Sequence, residues 1–255
     1  MIIPSAARDL ILIHGAWQGS WAWDYVTPLL AERGLRADAL DLPGNGADTT
    51  LPSQTSFDLH VNFIADRIKA APSPVWVVAH SGGGAAASQA VEVAAENVAG
   101  IVYVCGFMVP DGVAYSSLVD EAAKADPAAR GIWPYLVKSA DGETSSVPAD
   151  AALEIFYHDC PPDLAKAAAA RLTPQPERTR MAVPRLSAAR FGRLPRVYIE
   201  ALRDRSVVLA LQRRMQDLSP GARRFSLDSG HAPLISQPGN LVAAIAAGIA
   251  QPAAA

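Results

Sequence analysis

Ser81 lies where a parallel sheet would carry a nucleophile. The letters AHSGGG around it follow an apolar run, residues 75–79, that predicts a buried strand, and residues 82–96 predict a helix. A serine on such a bend has its hydroxyl lifted clear of the sheet, so small residues must stand two before and two after it. Ala79 and Gly83 are small, although glycine is more usual at the first place. A phosphate-binding loop would need a lysine after the last glycine, where an alanine stands, so the segment predicts a nucleophile.

A base and an acid follow Ser81 in the order expected for a serine nucleophile on a parallel sheet. The hydroxyl reacts poorly until a base takes its proton, and the base works best when a carboxylate fixes its tautomer. Asp204 follows a predicted strand, residues 196–201, and His231 follows the next one, residues 224–227. Each stands just beyond the carboxyl end of its strand, as Ser81 does. We therefore predict Asp204 as the orienting acid and His231 as the base.

Other acids and histidines offer alternatives to these assignments. Asp228, three residues before the histidine, and Glu200, inside a predicted strand, are the competing acids. No pair of histidines has metal-ligand spacing with a supporting acid, so no metal is predicted. A triad supplies nucleophile, base and orienting acid by itself, so no cofactor is predicted either. The remaining histidines are expected to pack or to form structural hydrogen bonds: His14, His60, His80 and His158.

The negative charge that develops on an attacked carbonyl oxygen needs backbone N–H donors. One is expected from Gly82, the residue after the nucleophile. The other is expected from the loop after the first strand, where Ala16 is the best candidate and Gly15 allows a tight turn. We predict Ala16 and Gly82 as the oxyanion hole.

The elements that must hold these residues alternate between strand and helix. Such alternation with apolar strands predicts an α/β fold, a mostly parallel, doubly wound sheet covered by helices on both faces. The predicted strands are residues 9–13, 35–42, 75–79, 101–105, 196–201 and 224–227, and the predicted helices are residues 23–32, 57–70, 82–96, 206–218 and 240–250.

The alternation stops for about ninety residues in the middle of the chain. Residues 106–195 contain no run that resembles a buried strand, and they carry short helical patches at 118–124, 151–156 and 164–172. A segment of this length is too long for a loop in a compact domain. We predict a core made of residues 1–105 and 196–255, with an inserted helical cap at 106–195 and a frayed tail at 251–255.

The composition excludes several classes of protein. The chain has 255 residues, of which 50% are hydrophobic and 18% charged, with a formal net charge of −3; a disordered chain would be less apolar and more charged. No apolar stretch approaches the roughly 20 residues that span a bilayer, and the first ten residues lack the pattern of a secretion signal. We expect a cytoplasmic protein with no membrane partner. Cys105 and Cys160 are too few for a disulfide framework, and both are expected to be reduced.

Charge is concentrated between residues 171 and 224. This window contains 13 of the 22 basic residues, all of them arginine, against four acids. A nucleic-acid surface would interleave them with aromatic side chains, but the window has few aromatics and five prolines. We predict solvated surface arginines and no nucleic-acid partner, with attraction of an anionic substrate as the alternative.

Several segments resemble one known family over essentially the whole chain. These are LILIHGAWQGSWAW, LDLPGNG, AHSGGG, YIEALRDRS and SGHAPLISQP, with FYHDCPP and LTPQP in the inserted segment. They resemble the α/β-hydrolase superfamily, in the branch of plant methylesterases, hydroxynitrile lyases and related bacterial carboxylesterases. The resemblance implies the α/β-hydrolase fold with a helical cap and a serine esterase acting through an acyl-enzyme. It also implies the roles given above for Ser81, Asp204, His231, Ala16 and Gly82.

The same triad serves other chemistries in that branch. The lyases resemble one another in carrying a threonine where this chain has Gly15 and a lysine where it has Ala232, so ester hydrolysis is favoured over cyanohydrin cleavage. Binding proteins related to these enzymes often lose the triad histidine, and an intact His231 argues against that class. A cofactor-free oxygenase would share the triad and stays open as a minor alternative.

Aromatic residues near the expected site suggest an apolar pocket between sheet and cap. The expected partner is a small-molecule ester of small to medium size and apolar character, and the sequence leaves a homodimer open. The pocket candidates are Trp17, Phe107, Trp133, Tyr135, Phe156 and Tyr157.

Overall fold

The computed structural model describes residues 9–180 and 183–250, so the predicted tail at 251–255 lies outside the described residues. Nine strands follow one another along these residues. They are β1 (Asp9–Ile13), β2 (Arg36–Leu40), β3 (Val75–His80), β4 (Val98–Val104), β5 (Val137–Lys138), β6 (Thr144–Ser146), β7 (Gln175–Pro176), β8 (Arg196–Ala201) and β9 (Ala222–Leu227).

Helices connect most of the strands. Ser56 begins the longest of them, because its hydroxyl accepts a hydrogen bond from the backbone N–H of Leu59 at 3.0 Å. The helices are α1 (Thr27–Ala31), α2 (Phe57–Ala70), α3 (Gly83–Val93), α4 (Tyr115–Ala122), α5 (Ala149–Ile155), α6 (Pro162–Ala170), α7 (Glu177–Arg180), α8 (Leu209–Leu218), α9 (Pro233–Ser236) and α10 (Pro238–Ala250).

Six of the strands form one sheet in the order β2-β1-β3-β4-β8-β9. Every neighbouring pair is parallel, which confirms the predicted mostly parallel sheet. In a parallel sheet all carboxyl ends lie at one edge, where ligands of open α/β sheets are found. The turns after β1, β3, β8 and β9 therefore come together at this edge.

Alternate side chains of the strands build a separate apolar layer on each face of the sheet. On β1, Leu10 and Leu12 belong to a cluster with residues of α1 and α10, and Ile11 and Ile13 belong to one with residues of α2 and α3. These strand residues are 4% exposed or less, as expected for a strand buried on both faces. The sheet is consequently covered by helices on both faces.

The predicted helix at residues 23–32 is wrong in its extent. The chain instead forms a 3-10 turn at Ser20–Trp23 and the short helix α1, with Pro28 in its first turn. Proline lacks the backbone N–H and its ring clashes with the preceding turn, so one helix cannot continue through that position.

The segment between β4 and β8 contains the four helices α4 to α7 and also a small antiparallel sheet in the order β5-β6-β7. The purely helical cap predicted for residues 106–195 is therefore incomplete. Two of these strands have only two residues and β7 contains Pro176, so they lack the apolar alternation that predicts a strand. Phe156 and Tyr157 of this segment share one apolar cluster with Leu10 of the main sheet, and the division at residues 105 and 195 remains a prediction.

Across residues 9–180 and 183–250, none of the helices is both long enough and apolar enough to cross a membrane.

Candidate active site

Ser81 occupies a strained turn directly after β3. Its φ of 50° lies in the left-handed region, which a non-glycine residue adopts only when its surroundings hold it there. Its N–H donates to the carbonyl of Val104 at 3.2 Å, and its carbonyl accepts from the N–H groups of Gly84 at 3.1 Å and Phe107 at 2.9 Å. A side chain on Gly83 would collide with the carbonyl oxygen of His14. Small residues at this bend thus let α3 start against β1.

Ser81, His231 and Asp204 form one line of hydrogen bonds at the carboxyl edge of the sheet. The Oγ of Ser81 lies 3.0 Å from the Nε2 of His231, and the Nδ1 of His231 lies 2.8 Å from the Oδ2 of Asp204. A carboxylate accepts, so Nδ1 carries the proton and Nε2 is left to accept from the serine hydroxyl. The three residues come from the turns after β3, β8 and β9, and the structure brings them together as the sequence predicts.

Asp204 is itself held by the backbone. Its other oxygen, Oδ1, accepts from the N–H groups of Ser206 at 2.7 Å and Val207 at 2.9 Å. These bonds set the plane of the carboxylate and leave Oδ2 directed at the imidazole. The carboxylate of Asp204 is thus held in a fixed position from which it orients the imidazole of His231.

The two competing acids lie elsewhere. The side chain of Asp228 is 78% exposed and pairs with Arg203 at 2.8 Å. Glu200 is buried within β8, where it accepts from Gln216 at 3.0 Å and Ser226 at 2.9 Å. Among the described residues, only Asp204 makes a carboxylate contact with His231.

Three other histidines are buried and have structural hydrogen bonds. His14 donates from Nδ1 to the carbonyl of Gly15 at 2.8 Å and accepts at Nε2 from the N–H of Leu42 at 3.2 Å, and burial lowers its pKa to about 4. The Nε2 of His80 lies 2.9 Å from the carbonyl oxygen of His231, and burial, followed by the nearby His231, lowers the pKa of His80 well below its ordinary value. His60 similarly contacts the carbonyl of Pro43 at 2.8 Å.

One cluster has the side chains of a metal site. Ligand atoms of His80, Cys105 and His231 lie within 4.8 Å of one another. The two histidines already use nitrogens in bonds to the carbonyl of His231 and to Asp204. Burial, followed by the nearby Asp204, raises the pKa of the Cys105 thiol well above its usual range, which disfavours the thiolate that binds metals. The expectation of no metal remains a prediction, and both cysteines are free.

The two residues predicted as oxyanion donors lie close together. A Cβ placed on Gly82 would lie 3.7 Å from the backbone N of Ala16. Within residues 9–180 and 183–250, neither of these two N–H groups has an acceptor. The N–H of Gly15 is occupied by the Oε1 of Gln18 at 3.0 Å. Sequence reasoning missed Gln18, because no local pattern distinguishes it from a surface glutamine.

The aromatic residues predicted for the pocket fall into two groups around the site. The ring of Phe156 lies 5.2 Å from the ring of His231 and 6.1 Å from that of Trp17, and Tyr157 packs against Phe156 at 5.9 Å. On the other side, Tyr115 lies between Phe107 at 3.5 Å and Trp133 at 6.0 Å.

Tyr135 does not join either group. It is 48% exposed at the end of a short 3-10 turn, Trp133–Tyr135. In a helix of three residues per turn, side chains two positions apart point in different directions. Trp133 therefore packs against the core, and Tyr135 does not. Sequence reasoning chose Tyr135 and missed Tyr115, which is 8% exposed.

Comparison with known proteins agrees with this architecture. A model of the alpha/beta hydrolase family matches residues 10–245. The pyrethroid hydrolase of Sphingobium wenxiniae is 30% identical over 245 residues, covering 93% of this chain and 86% of the relative. Methylesterase 18 of Arabidopsis thaliana is 26% identical, with 92% and 94% of the two chains covered. The crystal structure of a pyrethroid hydrolase from Sphingobium faniae has a TM-score of 0.86 at 30% identity, over 97% of this chain and 99% of that one.

A parallel sheet with a serine on the bend after its third strand defines the class of this protein. The chain belongs to the alpha/beta hydrolase family. Within that family it is an enzyme of the carboxylesterase type, related to bacterial pyrethroid hydrolases and plant methylesterases.

Proposed function

We propose that the chain hydrolyses carboxylic esters of small to medium apolar substrates through an acyl-enzyme on Ser81. The observation that carries this proposal is the line of hydrogen bonds from Ser81 Oγ to His231 Nε2 at 3.0 Å and from His231 Nδ1 to Asp204 Oδ2 at 2.8 Å. It gives the serine a base at hydrogen-bond distance and gives the base its orienting acid.

In the first half of the reaction, Ser81 Oγ attacks the ester carbonyl carbon while its proton passes to Nε2 of His231. The carbonyl oxygen becomes an oxyanion that accepts from the N–H groups of Ala16 and Gly82. Collapse of this tetrahedral species breaks the ester C–O bond, and His231 returns the proton to the leaving alcohol. An acyl-serine remains.

In the second half, water attacks the acyl-serine and gives its proton to His231. A second tetrahedral species forms in the same oxyanion hole, and its collapse releases the carboxylic acid and restores the Ser81 hydroxyl. Asp204 accepts from Nδ1–H throughout, so it stabilises the imidazolium without taking its proton.

The surroundings of Gly15 and Ala232 disfavour the hydroxynitrile lyase alternative. A Cβ on Gly15 would lie 2.9 Å from His80 Nδ1 and 3.0 Å from Ser81 Cβ, so a threonine there would require the nucleophile turn to move. Ala232 is fully buried next to His231. A threonine at position 15 therefore lacks space, and position 232 carries a buried alanine where a lyase would carry a lysine.

The intact triad disfavours a binding protein without activity. A relative that had lost catalysis would have no need for Ser81 at a φ of 50°, because such a backbone is costly unless the function uses it. Covalent labelling of Ser81 by a fluorophosphonate separates the two classes, since a binding protein would not react.

The proposals about binding partners rest on how the charged side chains at the surface pair with one another. Arginines of the 171–224 window pair with acids at the surface, for example Arg171 with Asp24 at 2.8 Å and Arg193 with Glu96 at 2.8 Å. Arginines already paired with carboxylates contribute less to phosphate binding. We therefore propose an ester as the partner, without nucleic acid.

The test is a panel of p-nitrophenyl esters of rising acyl length, run beside a cyanohydrin and a pyrethroid ester. The pyrethroid ester is included because the relative from Sphingobium wenxiniae is named a pyrethroid hydrolase. Wild type should cleave esters and not the cyanohydrin, and Ser81→Ala should lose about 10⁴-fold or more of kcat while keeping its circular dichroism spectrum. A folded Ser81→Ala that keeps more than about a hundredth of the activity would exclude Ser81 as nucleophile.

A further inference from the structure

Trp17 follows the proposed oxyanion donor Ala16, and its backbone conformation is one that contacts with other residues must stabilise. Its φ is 62°, in the left-handed region that bulky side chains rarely adopt. Trp17 is also 4% exposed, so no solvent compensates its polar groups. The direction of the Ala16 N–H depends on this turn, because Ala16 joins the planar peptide unit that carries its own N–H, shared with Gly15, directly to the planar peptide unit that carries the Trp17 N–H.

All three polar groups of Trp17 bond to the inserted segment between β4 and β8. Its backbone N–H donates to Oε1 of Gln175 at 2.8 Å, and its carbonyl accepts from the N–H of Thr173 at 2.9 Å. Its indole N–H donates to the carbonyl of Ser145 at 3.1 Å. Ser145 and Gln175 are paired residues of β6 and β7. The small antiparallel sheet therefore holds the turn that carries the oxyanion donor.

The orientation of the Gln175 amide follows from its neighbours. Thr179 donates its hydroxyl proton to the carbonyl of Pro176 at 2.7 Å, so it can only accept from Gln175, whose Nε2 lies 2.7 Å away. The amide oxygen then faces Trp17, and it also accepts from Asn45 Nδ2 at 2.9 Å. Gln175 is 4% exposed, so this orientation cannot exchange freely with one bonded to water.

The side chains of two glutamines thus accept hydrogen bonds from the backbone N–H groups on either side of Ala16. Gln18 accepts from Gly15 N–H at 3.0 Å and Gln175 accepts from Trp17 N–H at 2.8 Å. The N–H of Ala16 is left between them without an acceptor among the described residues. This pattern leaves one directed N–H free for a ligand.

We propose that Gln175 is a positioning residue of the oxyanion hole, acting through Trp17 to aim the Ala16 N–H at the developing oxyanion. The proposal rests on the proposed function. It gives the inserted segment a part in transition-state stabilisation, in addition to the substrate selection expected of a cap.

The test compares two ketone probes that share one carbon skeleton and differ only in carrying a trifluoromethyl or a methyl group. A trifluoromethyl ketone reacts with Ser81: Oγ bonds to the carbonyl carbon, the serine proton passes to His231, and the carbonyl oxygen becomes an oxyanion in the hole. The matching methyl ketone binds the same pocket without that charge. Both are measured as competitive inhibitors, beside kcat and KM on p-nitrophenyl butyrate, for wild type, Gln175→Met, Gln175→Glu, Thr179→Val and the control Gln54→Met.

We expect Gln175→Met to lower kcat by about 10- to 100-fold and to raise the inhibition constant of the trifluoromethyl ketone by a similar factor. This effect is smaller than the one expected from removing an oxyanion donor completely. KM and the inhibition constant of the methyl ketone should change by less than about threefold, because neither depends on an oxyanion. Gln175→Glu keeps an oxygen opposite Trp17 N–H and should recover most of the loss. Thr179→Val removes the hydroxyl that fixes the Gln175 amide and should cause a smaller loss of the same kind. Gln54→Met, the same kind of substitution at an exposed glutamine, is the matched control and should stay within about twofold of wild type.

The proposal is overturned if folded Gln175→Met leaves kcat and the inhibition constant of the trifluoromethyl ketone unchanged. It is also overturned if the inhibition constants of both ketones rise by the same factor. Should that variant fail to fold, Gln175→Asn, which withdraws the acceptor by one methylene, is judged by the same criteria. Failure of the proposed function looks different: Ser81→Ala would then stay active, whatever the Gln175 variants do.

Discussion

The Oδ2 of Asp159 lies 2.6 Å from the backbone N of Gly230, the residue before His231. Asp159 belongs to the segment between β4 and β8, and its side chain is 5% exposed. A Cβ on Gly230 would lie 2.6 Å from both Asp159 Oδ1 and His158 Cε1, so these two side chains approach the loop closely only because glycine stands there. The inserted segment thus contacts the loop that carries the proposed base.

Asp159→Ala should destabilise the protein and slow it. The change leaves a buried Gly230 N–H without an acceptor, which costs about 1–3 kcal/mol of unfolding free energy, and it loosens the loop before His231. Urea unfolding and kcat on p-nitrophenyl acetate measure the two effects. Asp66→Ala, at an exposed position of α2, is the control and should change neither. A stability equal to that of Asp66→Ala would show that the Gly230 bond contributes nothing.

Asp204→Asn should lower kcat by about 10⁴-fold, because the amide favours the wrong imidazole tautomer. Asp228→Asn should have little effect, since that side chain is exposed and paired with Arg203. Steady-state kinetics on one ester compares them directly. A larger loss from Asp228→Asn would reverse the assignment of the acid.

Replacing Trp133 or Phe156 by alanine should harm bulky esters more than p-nitrophenyl acetate. These rings pack beside the site, Phe156 at 5.2 Å from the ring of His231, and their binding energy acts on groups remote from the scissile bond. The measurement is kcat/KM across the acyl series, with Tyr135→Ala as the exposed aromatic control. Equal losses on small and large esters at unchanged stability would contradict a role in selection.

Stability should fall as the pH drops from about 6.5 towards 4. Burial lowers the pKa of His14 to about 4 and that of His80 well below its ordinary value, whereas the unfolded chain keeps a pKa of about 6.5. The unfolded state therefore binds more protons in this window, and the contribution of these histidines, complete above pH 6.5, is lost on acidification.

Calorimetry in two buffers of different ionisation enthalpy checks this prediction. Unfolding at pH 5.5 should take up about two protons from His14 and His80 together, and these groups should contribute none at pH 8. Unfolding at pH 5.5 without proton uptake would show that the buried histidines are charged in the folded protein.

Local patterns in the sequence determined much of this protein. Helix α2 spans Phe57–Ala70 and strand β8 spans Arg196–Ala201, with the bounds that the sequence predicts, because a cap and an apolar period are properties of adjacent residues. The three residues of the line from Ser81 to Asp204 were predictable for a related reason. In a parallel sheet, residues just after the carboxyl ends of strands share one edge wherever they stand in the chain.

Contacts between distant residues were decided only by the tertiary structure. Gln175 bonds to Trp17 across 158 positions, and nothing adjacent to either residue marks the pair. The sequence predicts Asp204 as the acid, but the backbone bonds from Ser206 and Val207 that direct its carboxylate at His231 are visible only in the tertiary structure. Strands of two or three residues, such as β5 to β7, carry too few side chains for a periodic signal. Side-chain direction and partner choice depend on how the layers pack, and packing is a property of the whole fold.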